Sequence, residues 1–163
     1  MIDLAKYQQF IKNRGREIDA CFKKLKNRKP KDLDTITLEL HEKAFEEIDC
    51  LECANCCKSI SPIITYNDIE RIAKQTKQKP GELVEKYMHM DSDGDYVFNS
   101  SPCPFLGADN YCSIYSHRPK ACREYPHTDR RRFYQILDLT RKNCEICPIV
   151  CEVSKGLLER CGN

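Results

Sequence analysis

Tryptophan is absent from this chain, aromatic residues make up only 9%, and no long apolar run occurs. The first two shortages leave a modest apolar core for 163 residues, so something besides side-chain burial has to help hold the fold. The third excludes a membrane-spanning helix, which needs about 20 consecutive apolar residues. A secretory signal is also missing: Met1-Ile2-Asp3-Leu4-Ala5-Lys6 has neither the apolar stretch nor the small-residue cleavage site. The expected compartment is therefore the cytoplasm, where disulfides rarely persist. A large charge of either sign is lacking too. The net charge of +2 argues against a strongly electrostatic nucleic-acid binder. The short basic runs at 27–31 and 130–132 are read as solvated surface, with a local anion or partner patch as the alternative.

What the chain has in excess is cysteine, with twelve residues at 21, 50, 53, 56, 57, 103, 112, 122, 144, 147, 151 and 161. In a reducing compartment this excess reads as metal ligation before disulfide pairing. All twelve are therefore expected free of bridges.

Apolar residues Leu4, Tyr7, Ile11, Ile18, Phe22 and Leu25 share one face of an expected helix over 3–26, with Gly15 inside it. A second helix is expected over about 34–49 on the stripe Leu33, Ile36, Leu40, Ala44 and Ile48, capped by Asp32 or Asp34. The two could pack as an antiparallel pair, a scaffold or a surface for a protein partner or substrate. His41-Glu42 opens a zinc-protease motif, but Phe45 stands where its second histidine belongs. Residues 60–64 suggest a short strand. Thr65 and Asp68 match a capping box for a helix to about Thr76, and Pro80 opens another through about Met88. Asp93-Gly94 marks a turn into a short strand over 96–99. Beyond Ser101 the prolines at 102, 104, 119 and 126 break the chain repeatedly. A last helix is expected over about 146–160. The fold class is therefore mainly α with short irregular β segments. It comprises an N-terminal helical extension (1–49) and a small, metal-nucleated, cysteine-rich domain (50–163). Metal is expected to supply much of the folding energy of residues 100–151, which show little apolar periodicity.

The first cysteine group is Cys50-Leu51-Glu52-Cys53-Ala54-Asn55-Cys56-Cys57. Two-residue gaps let successive thiolates turn toward one centre, and Cys50, Cys53 and Cys56 have the spacing of a bacterial-type ferredoxin run. Zinc sites more often use two separated pairs. Adjacent Cys56 and Cys57 diverge, so they suit two centres, or only one of them ligates. Cys103, Cys112 and Cys122 form a second group, spaced widely enough that loops must fold to bring them together. Cys144, Cys147 and Cys151 form a third. Cys147 and Cys151 lie one helical turn apart at a helix start, where the dipole favours thiolates. The bland alternative for Cys151 is a small packed hydrophobe. Cys21 and Cys161 stand alone and are read as structural or incidental. His117 and His127 flank Cys122 as possible substitutes for a thiolate. Arg118 and Arg123 could neutralise a cluster or hold an anionic group, or could form simple loop ion pairs, for example with Glu124.

With these blocks in order, the chain resembles the YkgJ family, the CxxCxxCC zinc- or iron-chelating domain. The resemblance rests on the first cysteine run, Cys103-Pro104-Phe105-Leu106, Cys112-Ser113-Ile114-Tyr115, and Arg118-Pro119-Lys120-Ala121-Cys122-Arg123-Glu124-Tyr125-Pro126. It covers about residues 50–150. Ala54 departs from it, since family members often carry glycine there. The resemblance implies zinc or iron binding, often as an iron–sulfur cluster, and one branch resembles flagellin lysine N-methylases. No nucleotide or S-adenosylmethionine loop is readable in this chain, so that activity is not carried over. The expected cofactor is an iron–sulfur cluster of the 4Fe-4S type, with zinc as the alternative. Eight thiolates would complete two four-iron clusters; alternatively, four would hold one cluster and three or four would hold zinc. The corresponding functions are a redox or cluster-assisted enzymatic role, or a zinc-stapled structural or interaction module.

Overall fold

The computed structural model describes residues 2–161. It is mainly α-helical, with one small two-stranded sheet among the described residues. The chain forms two compact units. One comprises residues 1–53 and 126–163, the other 54–125. The sequence reading draws its boundary at 49/50 instead.

In the first unit, α1 (Leu4–Arg28) begins at Asp3, whose carboxylate accepts the N–H groups of Ala5 and Lys6. Its buried face carries Ile11, Gly15, Ile18, Cys21 and Phe22. Gly15 lies under the Arg141 guanidinium, which a side chain at that position would crowd. Arg141 Nε in turn donates to Asp19 at 2.6 Å. α2 (Leu33–Glu47) and α1 both pack chiefly on α9 (Pro148–Cys161), the last helix, rather than as an antiparallel pair. Gly156 explains how closely α2 approaches: a Cβ there would collide with the Leu40 side chain. Neither expected cap is made by a side chain. Asp32 occupies the N-cap position of α2 without a side-chain bond. The Asp34 carboxylate instead accepts the N–H groups of Arg132 and Phe133, at 2.7 and 2.9 Å.

Residues 133–151 are better ordered by apolar packing than the sequence suggests. A 3-10 turn (Phe133–Ile136), α8 (Leu137–Asn143) and α9 bury Phe133, Leu137, Ile149, Val150, Val153 and Leu157. α9 is the last helix expected from the sequence, whereas α8, at seven residues, is too short to show a helical period there.

Cys21 and Cys161 are bridged, with Cα atoms 5.8 Å apart across a sequence separation of 140. This corrects the expectation that all twelve thiols are free. The packing of α1 on α9 brings the two residues together, and nothing in their local sequence announces it.

In the second unit, α4 (Asn55–Ser59) follows Ala54, and α3 (Cys50–Cys53) closes the first unit's leading segment. The capping box at α5 (Tyr66–Thr76) is present as expected. α6 (Pro80–Tyr87) leads into β1 (Met88–Met90), which pairs antiparallel with β2 (Tyr96–Phe98). The turn between them has Gly94 at φ 85°. The expected strand at 60–64 reduces to a single bridge between Ile64 and Tyr96. The core comprises Ile64, Ile69, Ile72, Leu83, Met88, Phe98, Phe105 and Ile114, with Cys103 and Cys112 packed against it. Among the described residues no helix is long and apolar enough to cross a membrane.

Candidate metal centre

The CxxCxxCC run is not one helix. Asp49 opens α3 by accepting the Leu51 N–H at 2.8 Å. Ala54 then adopts a left-handed conformation, φ 47° and ψ 16°, and α4 starts at the next residue. That conformation favours glycine. The run is thus shared between the units, Cys50 and Cys53 in the first, Cys56 and Cys57 in the second.

Cys57 is tied to Cys103 through the backbone, Cys103 N–H donating to Cys57 O at 2.8 Å. Cys112 joins them through the Leu106–Cys112 bridge and through Ser113 N–H donating to Phe105 O at 2.9 Å. Cys122 comes from the short helix α7 (Lys120–Glu124). The segment before α7 is anchored by α5. Asp68 accepts the Lys120 N–H at 3.0 Å, while Arg71 Nη2 donates to Asp68 at 2.6 Å and to Arg118 O at 2.9 Å. Sequence reasoning recognised Asp68 only as a helix cap. Its second role depends on a contact 52 residues away and has no local signal.

Burial and neighbouring charges set the electrostatics of these thiols. Burial, then the neighbouring charges of Cys57, Cys103 and Cys112, push the Cys122 thiol up to about 12. Burial also pushes Cys103 up to about 11, opposed by the backbone N–H groups of Phe105 and Leu106 that donate to its sulfur. Cys112 is raised by burial and likewise receives a backbone N–H, from Ile114. Cys57 is the exception. A hydrogen bond with Cys56 lowers it to about 7 against the cost of burial, with help from the charges of Arg118 and Lys58.

Arg118 stacks on Tyr115, its guanidinium carbon 3.8 Å from the ring centre, and its charge reaches Cys57, Cys112 and Cys122. Arg123 is exposed. Glu124 pairs with Lys120 at 3.6 Å rather than with either arginine. His117 lies in the second unit, with Nδ1 buried and without a hydrogen-bond partner; His127 lies in the first unit.

In the first unit Cys147 directly precedes α9, and its sulfur accepts the backbone N–H groups of Ile149 and Val150. It therefore caps the helix as a serine or aspartate would. Burial pushes it up to about 12, and the charges of Cys50 and Cys53 add to the rise. Cys151 follows one turn later, its N–H donating to Cys147 O at 3.0 Å. Burial and the charges of Cys144, Glu152 and Cys147 push its thiol up to about 12. Burial, then the charges of Glu152, Cys151, Glu47 and Cys53, raises the Tyr7 hydroxyl above its ordinary value. Cys144 is engaged otherwise, its sulfur 2.9 Å from Ser154 Oγ.

Ten cysteines are thus unbridged, five in each unit. A soft, thiol-only donor set suits zinc or iron–sulfur ligation. Backbone N–H donors at Cys103, Cys112 and Cys147 favour the thiolate form that ligation needs. Among the described residues, no three His, Cys, Asp or Glu side chains are already closed around one metal position.

A family model described as CxxCxxCC, putative zinc- or iron-chelating domain, matches residues 49–152. The chain belongs to this family. No curated protein and no solved structure matches it. The CxxCxxCC family assignment supports metal binding by the cysteine cluster and leaves zinc and iron as its two candidates.

Proposed function

We propose that this chain is an iron–sulfur protein with a redox or cluster-assisted role, and that its thiols hold the cluster from separate loops. The observation that carries the reading is the backbone bond from Cys103 N–H to Cys57 O, with Cys112 tied in through its bridge to Leu106 and backbone N–H donors on the sulfurs of Cys103 and Cys112; the charges of all three reach Cys122. Four thiolates are what a 4Fe-4S cluster requires, and hydrogen bonds to the sulfurs are among the features that set its potential. Arg118 places a positive charge beside these sulfurs and would offset the negative charge of a thiolate-bound cluster. Among the described residues no three such side chains are grouped around one metal position, so loading requires the thiols to move.

A zinc-stapled module is the second reading. It is favoured by the first unit, where the charges of Cys50 and Cys53, a pair spaced by two residues, reach the Cys147 thiol, since zinc sites commonly use two short-spaced pairs. Visible absorption and low-temperature EPR of anaerobically prepared protein, before and after dithionite, separate the two. A bleachable charge-transfer band with a paramagnetic reduced state supports the cluster. A spectrum featureless in both states rejects it.

A further inference from the structure

We propose that the first unit carries a binding cavity for a small organic carboxylate with an apolar body, of the medium-chain fatty acid class. The inference stands whichever metal the thiols hold.

The cavity lies where the end of α1, the start of α2 and the end of α9 meet, all within the first unit, and its volume is about 250 Å³. Drug-sized ligands usually occupy roughly 300–1,000 Å³, so the occupant is small. The apolar part of the lining includes Leu33 and Leu157, which are buried, and Leu25 and Ile36, which are half-buried. An alkyl body laid against these four side chains removes apolar surface from water on both partners.

The charged part of the lining selects the sign. Lys24, Arg28 and Arg160 stand against a single acid, Asp32. Two of the three cations are already engaged. Lys24 Nζ donates to the Cys161 carbonyl at 2.9 Å, and Arg160 Nη2 pairs with Glu39 at 3.4 Å. Arg28 forms no ion pair among the described residues. With Arg160 matched by Glu39 and one of the other two cations matched by Asp32, a single positive charge is left over. That balance suits a monoanion better than a phosphate dianion, and a guanidinium can hold a carboxylate through two parallel hydrogen bonds.

The two basic runs, far apart in sequence, reinforce this sign. The Asp34 carboxylate accepts the N–H groups of Arg132 and Phe133, and Lys29 Nζ lies over the Tyr134 ring, 5.2 Å from its centre. The fold thereby brings residues 27–31 and 130–132 to one corner, and Arg28 belongs both to the first run and to the cavity lining. Arg130, Arg131 and Arg132 are exposed, so they draw anions toward the corner from solution. Basic residues also offset the dipole at the end of a helix, which accounts for Lys26 and Arg28 on α1. It accounts neither for the cavity nor for the arginines at 130–132, which lie outside any helix end.

NMR titration of the full-length chain with octanoate tests the proposal. A ligand of about ten non-hydrogen atoms binds in the roughly millimolar range, which chemical shifts can follow. Octanoate should give saturable shifts at Leu33, Ile36 and Leu157. Octylammonium should give none of comparable affinity. Arg28→Met keeps an unbranched stem and removes the charge, and it should weaken octanoate roughly tenfold. Arg131→Met, outside the lining, should leave the affinity within about twofold of wild type. Ile36→Trp fills the cavity and should abolish the shifts in protein whose remaining spectrum is that of the folded chain. Absence of saturable shifts with octanoate overturns the proposal. So does equal binding of octylammonium, or unchanged octanoate affinity in folded Arg28→Met. Inorganic phosphate that displaces octanoate at equal concentration would also overturn it, by showing a bare anion site with no use for the apolar lining.

Discussion

The backbone N–H of Cys103 donates to the carbonyl of Cys57 at 2.8 Å, and that one bond joins the CxxCxxCC motif to the loops that complete the second unit's thiol group. On the proposed reading, main chain frames the centre and the sulfurs are what must move to close it.

Ala54 tests whether the motif's backbone is strained. Its left-handed φ of 47° costs a non-glycine residue about 1–2 kcal/mol. Ala54→Gly should therefore stabilise the metal-free chain by about 1 kcal/mol, and Ala54→Val should destabilise it. Denaturant midpoints check this; a lower midpoint for the glycine variant would show that the lost methyl matters more than the strain.

The free thiols should differ sharply in reactivity. In metal-free protein at pH 7.5, Cys57, at about 7, should be alkylated roughly a hundredfold faster than Cys103 or Cys122, at about 11 and about 12. Peptide mapping after timed iodoacetamide reads the order, and equal rates would contradict it. The raised thiols also set an alkaline limit. A thiol raised on folding stabilises the folded state fully below the unfolded value of about 8.5, and that contribution is lost as pH climbs toward the folded value. Metal-free protein should accordingly lose stability above about pH 8.5.

Asp68 works at the opposite end of the pH scale. Burial would raise its carboxyl, but the hydrogen bonds from Thr65, Arg71 and Lys120 outweigh burial and hold it below the usual carboxylate range. Its contribution is present above the unfolded value of about 3.9 and is lost as pH falls through the folded one. Asp68→Asn should cost about 2 kcal/mol at neutral pH and flatten the acid limb of the stability profile. Parallel acid limbs for variant and wild type would remove Asp68 from this account.

The bridge between Cys21 and Cys161 closes nearly the whole chain, with a separation of 140 residues. Reducing it, or replacing both residues with serine, should lower the stability of the first unit by about 3 kcal/mol. Hydrogen exchange in α1 and α9 with and without reductant reads the effect, and unchanged protection would show that the bridge adds little to the packing.

Local signals made parts of the fold legible in advance. The capping box at Thr65 and Asp68, the Asp93-Gly94 turn and the apolar face of α1 each lie within a few residues of one another and were read correctly. What escaped depends on distant partners. Asp34 looked like a cap for its own helix but serves the 3-10 turn at Phe133. Cys21 looked incidental because its partner lies at the far end of the chain. The cysteines could be listed from spacing, but their division between units could not, since the ferredoxin-like gaps of Cys50, Cys53 and Cys56 run straight through the boundary at Ala54.

The most direct test of the account is to quantify iron and acid-labile sulfide together, with zinc, in protein prepared anaerobically. The account predicts brown protein containing iron and sulfide in near-equal amounts. Colourless protein with stoichiometric zinc and no labile sulfide would contradict it.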